Sequence, residues 1–91
     1  MKTTIEKVVR EYIIRVDGLS FPIKARITES LGEESKQPFT WSISHHYSPS
    51  STTSTYYPAF INAPTLEKAE MALLSYVEHF TTLGVTANSN Y

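Results

Sequence analysis

Apolar and polar positions alternate with period two through Val8, Arg10, Tyr12, Ile14 and Val16, break at Asp17-Gly18, and alternate again through Leu19, Phe21, Ile23, Ala25 and Ile27. That period predicts two half-buried antiparallel strands. Asp-Gly between two such runs predicts a two-residue type I′ turn, because Asp and Gly tolerate the positive φ it requires. The turn then fixes the register. Val16 faces Leu19, Ile14 faces Phe21, Tyr12 faces Ile23 and Val8 faces Ile27, all on one face. The other face pairs Glu11 with Lys24 and puts Val9 beside Arg26.

Residues 29–37, with Glu33 and Glu34 at their centre, read as a polar loop. Pro38 opens a third alternating run, with Phe39, Trp41 and Ile43 on one face and Thr40, Ser42 and Ser44 on the other. The run decays into His45-His46-Tyr47 and a Ser/Thr stretch over 48–55, which has too little apolar area to offset its ordering entropy and is expected to be mobile. Residues 56–61 follow as a fourth strand, which Pro58 confines to a sheet edge. The period then lengthens. Thr65 is an N-cap candidate, Leu66, Ala69, Leu73, Tyr76, Val77, Phe80 and Leu83 recur at helical spacing, and Gly84 sits at a C′ position, predicting a helix over 65–82.

The predicted fold is α+β: an antiparallel three- to four-stranded β-meander with one C-terminal helix packed on one face (β-β-β-β-α). Residues 1–84 form a single domain and 85–91, which lack a pattern, a flexible C-terminal tail. The expected core joins Val8, Tyr12, Ile14, Val16, Phe21, Ile23, Ile27, Phe39, Trp41 and Ile43 to the helix stripe. Pro22, without an N–H, conflicts with full pairing of the second strand and calls for a bulge or a strand end there.

Composition narrows the function. Eight Lys+Arg against nine Asp+Glu give a net charge of −1, which suits neither a basic nucleic-acid binder nor an acidic phosphate mimic. The absence of cysteine excludes a disulfide scaffold, a thiolate zinc site and a cysteine nucleophile. No apolar run reaches the ~18–20 residues of a membrane span. The start Met1-Lys2-Thr3-Thr4 has no signal-peptide core, so the expected location is cytoplasmic.

Neighbouring strand residues His45 and His46 point to opposite faces and do not share a metal easily, and His79 lies on the helix flank. No serine sits in a nucleophile elbow or Ser-x-x-Lys arrangement, no carboxylate pair has acid/base spacing, and the three glycines build no phosphate loop. The reading is a non-enzyme without cofactor or metal. Two surfaces invite a partner. On the helix, Met71 and Leu74 fall off the core stripe beside Glu67 and Glu78, as a contact patch or as isolated apolar residues covered by a loop. On the open sheet face, Arg15, Lys24, Arg26, Thr40, Ser42, Ser44 and His46 are expected to project together with Val9 and Ile13. Tyr47, Tyr56 and Tyr57 flank the Ser/Thr loop and suit adaptable contacts or packing at the core edge.

In plan, the hairpin of 12–27, the strand 39–43 and the helix 66–80 on a small cysteine-free chain resemble the phage-encoded anti-CRISPR proteins, particularly the type I-F inhibitors. That resemblance implies a stoichiometric inhibitor that docks on a bacterial CRISPR ribonucleoprotein complex and blocks target-DNA binding by occlusion. The alternatives are a small housekeeping interaction domain or homodimer, and a weak nucleic-acid binder using Arg15, Lys24 and Arg26. Expected partner-binding residues are Arg15, Lys24, Arg26, His46, Met71, Leu74, Tyr56 and Tyr57.

Overall fold

A computed structural model describes residues 3–32 and 35–91, leaving Met1, Lys2, Glu33 and Glu34, and the expectations placed on them, outside the described residues. In chain order the elements are β1 (Ile5–Ile14), β2 (Ile23–Leu31), β3 (Phe39–Ile43), β4 (His45–His46), β5 (Asn62–Ala63), α1 (Leu66–Glu78) and β6 (Thr86–Ala87). Four strands make one antiparallel sheet in the order β1-β2-β3-β5, and β4 pairs with β6 in a two-stranded sheet. This is the α+β arrangement that the hydrophobic pattern predicts, with one helix packed on one face of the sheet.

The hairpin is correct in kind and displaced in register. Asp17-Gly18 does form its tip, with Leu19 N donating to the Val16 carbonyl at 3.0 Å. Only Gly18 has a positive φ, however, at 95°, whereas type I′ needs two such residues. The signs are those of a type II turn, whose twist splays the flanking strands rather than continuing them. Pairing therefore stops at Ile14 and resumes at Ile23, just past Pro22. Ile14 faces Ile23, Tyr12 faces Ala25 and Glu11 faces Arg26. A slip of two residues preserves the faces, so the core side survives the error.

A bulge between Val8 and Arg10 then reverses one assignment. Val9 turns to the helix side and packs against the core, while Val8, expected in the core, is exposed. Phe21 also leaves the expected core. It lies in the connection, is exposed, and sets its ring 5.0 Å from that of His45.

The buried core is Ile23, Ala25 and Ile27 of β2, Trp41 and Ile43 of β3, Ala63 of β5, Ala69, Leu73 and Tyr76 of α1, and Tyr47. Thr65 caps α1, its side chain accepting from Lys68 N at 3.2 Å. The helix ends at Glu78 rather than at 82, with His79 as its C-cap. Beyond it, the Thr81 hydroxyl donates to the Ser48 carbonyl at 2.6 Å, and Ser48 N donates to the Leu83 carbonyl at 2.9 Å. These bonds draw the chain out of the helix. Gly84, with φ 55°, is not a helix cap but the place of closest approach: a Cβ there would lie 2.5 Å from Ser48 Oγ.

Two further expectations change. Over 56–61 the chain is not a strand; pairing with β3 begins only at β5, beyond Pro58. Tyr56 instead makes an isolated bridge with Tyr47, closing the neck of the Ser/Thr loop. The segment 85–91, expected as a loose tail, folds back: β6 pairs with β4, and Asn88 N donates to the Ser44 carbonyl at 2.7 Å.

Candidate functional site

The predicted basic face does not assemble as a patch. Lys24 and Arg26 share the open sheet face with Thr40 and Ser42, but Glu11 stands directly opposite Arg26. The Arg26 guanidinium lies over the ring of Tyr91, 4.4 Å from its centroid. Arg15 is outside the strands, in a cleft beside the Asp17-Gly18 turn. His46 is not on that face either. Its ring meets Tyr57 edge-on at 4.9 Å and Tyr76, a core residue, at 6.4 Å. Burial, and then the neighbouring His45, holds the His46 imidazole below the usual histidine pKa. Met71 and Leu74 are both exposed on α1. Among the described residues no three of His, Asp or Glu gather as a metal site, and no helix is long and apolar enough to cross a membrane.

A different surface is built where the fourth strand was expected. The segment 56–61 is fastened at both ends. Tyr56 N donates to the Tyr47 carbonyl at 2.7 Å, the Tyr76 hydroxyl donates to the Tyr56 carbonyl at 2.5 Å, and Trp41 N donates to the Ile61 carbonyl at 2.9 Å. Beneath it, Tyr47, Tyr76 and Phe80 form a continuous aromatic layer, with Tyr47 and Phe80 4.6 Å apart and Tyr47 and Tyr76 5.0 Å apart. Burial raises the pKa of both the Tyr47 and Tyr76 phenols, so they remain neutral. Between the fastened ends the chain projects Tyr57, 64% exposed, and Phe60, 85% exposed.

Three clefts surround this projecting segment. One, of about 290 Å³, runs between Tyr57, Pro58 and Ile61 on one side and Ser42, His46 and Asn90 on the other. A second, also about 290 Å³, separates Pro58 and Phe60 from Ala72 and Ser75 of α1. The third, about 190 Å³, lies between Gln37 and the 59–62 backbone. None is lined by Asp, Glu, Lys or Arg. The clefts on the hairpin contain Glu11 with Lys24, and Arg15 with Asp17.

The sequence carries a signal for this surface that periodicity does not reveal. From residue 37 to residue 66 there is no Asp, Glu, Lys or Arg, and all seventeen charges lie outside that interval. Of the expected contact residues, Tyr56, Tyr57 and His46 belong to this edge, whereas Arg15, Lys24 and Arg26 do not. Phe60, Pro58, Ile61 and Asn90 were not anticipated. A search of known protein families, characterised proteins and solved structures finds no match to this chain.

Proposed function

We propose that this chain is a non-enzymatic protein-binding module that docks through the charge-free edge, with Phe60 and Tyr57 as its anchors. The observation that carries this reading is the 85% exposure of Phe60 on a segment fastened at both ends. A large apolar side chain held in water on a segment pinned at both ends loses less entropy on docking than one on a free loop and gains its burial energy from a partner. Interface centres are depleted in charge and enriched in aromatic residues, and the 37–66 interval has that composition. The partner to which the resemblance of plan points is a bacterial CRISPR surveillance complex, with occlusion of target-DNA binding as the mode of inhibition.

The test is phage plating on CRISPR-immune bacteria that express the chain. Wild type restores plaques, and Phe60→Asp, expressed and folded equally, does not. Unchanged immunity across the common subtypes removes the CRISPR partner. A Phe60→Asp chain that inhibits as well as wild type removes the docking edge.

A further inference from the structure

Resting on the protein-binding reading, we infer that the cleft between Tyr57, Ile61 and Asn90 is the specificity pocket of this edge, and that it receives an uncharged apolar side chain from an extended peptide segment of the partner.

Size sets the first limit. At about 290 Å³ the cleft falls at the lower end of the range for small-molecule pockets and suits a single side chain. Its walls set the second. Ile43, Pro58 and Ile61 supply aliphatic surface, while the lining residues Ser42, Tyr57 and Asn90 bring two hydroxyls and a carboxamide. Among the described residues these three groups hydrogen-bond to nothing else in the chain. A carboxamide that offers both a donor and an acceptor, next to two hydroxyls, complements the neutral N–H and C=O of a peptide unit.

The cleft is also held in shape. Asn88 donates through Nδ2 to the Ile43 carbonyl at 2.9 Å, and Asn88 Oδ1 accepts from Asn90 N at 3.0 Å. One residue on, Tyr91 stacks under Arg26 at 4.4 Å. The polar wall is thus tied to β3 and to β2 before any ligand arrives, which lowers the entropy cost of binding.

Charge identifies the class of occupant. No Lys or Arg lines the cleft, and Arg26, directly opposite Ser42 on β2, is held over the Tyr91 ring, so a phosphate or carboxylate entering the cleft would lose hydration for little counter-charge, and an ammonium would fare no better. Nucleic acid and acidic peptides are disfavoured on that ground. A sugar would stack on an open aromatic ring; Trp41 is only 2% exposed, which leaves Tyr57, 64% exposed and set edge-on to His46 at 4.9 Å, and titration with a disaccharide tests that ring. An uncharged peptide segment satisfies both the aliphatic and the amide-like halves of the cleft.

The experiment selects random peptides displayed on phage against the immobilised full chain. The selected peptides, N,N′-diacetylchitobiose and an oligothymidine are then each titrated into the ¹⁵N-labelled protein. The expected peptides carry an apolar residue flanked by uncharged ones and shift the amides of Ser42, Tyr57, Ile61 and Asn90. Ser42→Arg is expected to weaken them by about tenfold or more, since it puts an unpaired cation against the occupant. Asn90→Lys is the second variant should Ser42→Arg lose its dispersed spectrum. The inference is overturned if no peptide is enriched, if the selected peptides are charged and map to Lys24 and Arg26, or if the disaccharide or oligonucleotide shifts these amides and the peptides do not. Shifts confined to Phe60 and Ala72 also overturn it, yet leave the protein-binding reading intact. Failure of that wider reading is registered separately, by the plating of Phe60→Asp.

Discussion

The two halves of the sheet are built on different principles. In the hairpin, β1 and β2 pair over long strands whose open face mixes Glu11, Lys24 and Arg26 with Ile13 and Thr28. Opposite charges confront one another there, so the surface is balanced and well solvated, and such exposed charges contribute little to a specific contact. The outer half, from β3 to β5, has short strands, no charge and a projecting aromatic segment. Removing water from that half costs little because nothing ionised loses its hydration. The difference teaches that scaffold and contact surface are divided along the chain: the hairpin supplies extended pairing, and the neutral half supplies the area that a partner can cover.

The most severe way to break this division is to remove the residue that serves both parts. Trp41 is buried in the core, 5.7 Å from the Tyr76 ring, and also backs two of the neutral clefts. Trp41→Ala is expected to cost about 3–5 kcal/mol, close to the whole stability of so small a domain. Urea denaturation measures it, and a variant that melts within a few degrees of wild type would make Trp41 peripheral.

Gly84→Ala comes next. Its φ of 55° and the approach of Ser48 Oγ join the end of the Tyr47 region to the segment after α1. The left-handed backbone alone costs an alanine about 1–2 kcal/mol. If most of the loss is steric instead, Ser48→Gly in the same chain restores it, and the comparison of the two melting curves decides between the causes.

How far the sequence reveals these halves differs for physical reasons. Period-two alternation identified β1, β2 and β3, and period 3.6 identified α1, because each element buries one face. The hairpin register was misplaced because Asp-Gly specifies a turn but not its type, and because the bulge at Val9 leaves no mark in alternation. The end of α1 was extended by Phe80 and Leu83, whose spacing fits a helix although Ser48 captures the backbone there. Residues 85–91 lacked a pattern because pairs as short as β4–β6 show no periodicity. The neutral edge was legible in part through Tyr56, Tyr57 and His46, singled out as contact residues, and otherwise as a missing charge, a signal of composition rather than of period.

A smaller effect links the hairpin to the helix. The Tyr12 hydroxyl donates to Glu70 Oε2 at 2.5 Å, and burial together with the Glu70 carboxylate pushes the Tyr12 pKa up to about 12. The folded chain therefore holds this proton more tightly than the unfolded chain, whose phenol ionises near 10. The contribution is fully present below that value and is lost as pH rises towards about 12. Tyr12→Phe is expected to cost about 1 kcal/mol at neutral pH and to flatten the alkaline limb of the stability profile. An alkaline limb unchanged by the substitution would place the responsible group elsewhere.

The smallest expected effect is the sharpest test of the comparison, because it concerns the charged face alone. Lys24 is exposed and faces Ile13 across the hairpin, with no carboxylate directly opposite, so Lys24→Glu is expected to change stability by less than about 0.5 kcal/mol. Arg26→Glu differs, since it removes the stack on Tyr91 and sets a second carboxylate against Glu11, at a cost of about 0.5–1 kcal/mol. Lys24→Glu touches neither the wall of the neutral clefts nor the Tyr91 stack, whereas Arg26 stands directly opposite Ser42 of that wall. Partner affinity should therefore survive Lys24→Glu unchanged and fall with Ser42→Arg, because of the two residues only Ser42 lines the neutral cleft. If Lys24→Glu abolishes binding while Ser42→Arg is tolerated, the charged hairpin is the contact surface and the neutral edge is scaffold, which inverts the division between the two halves.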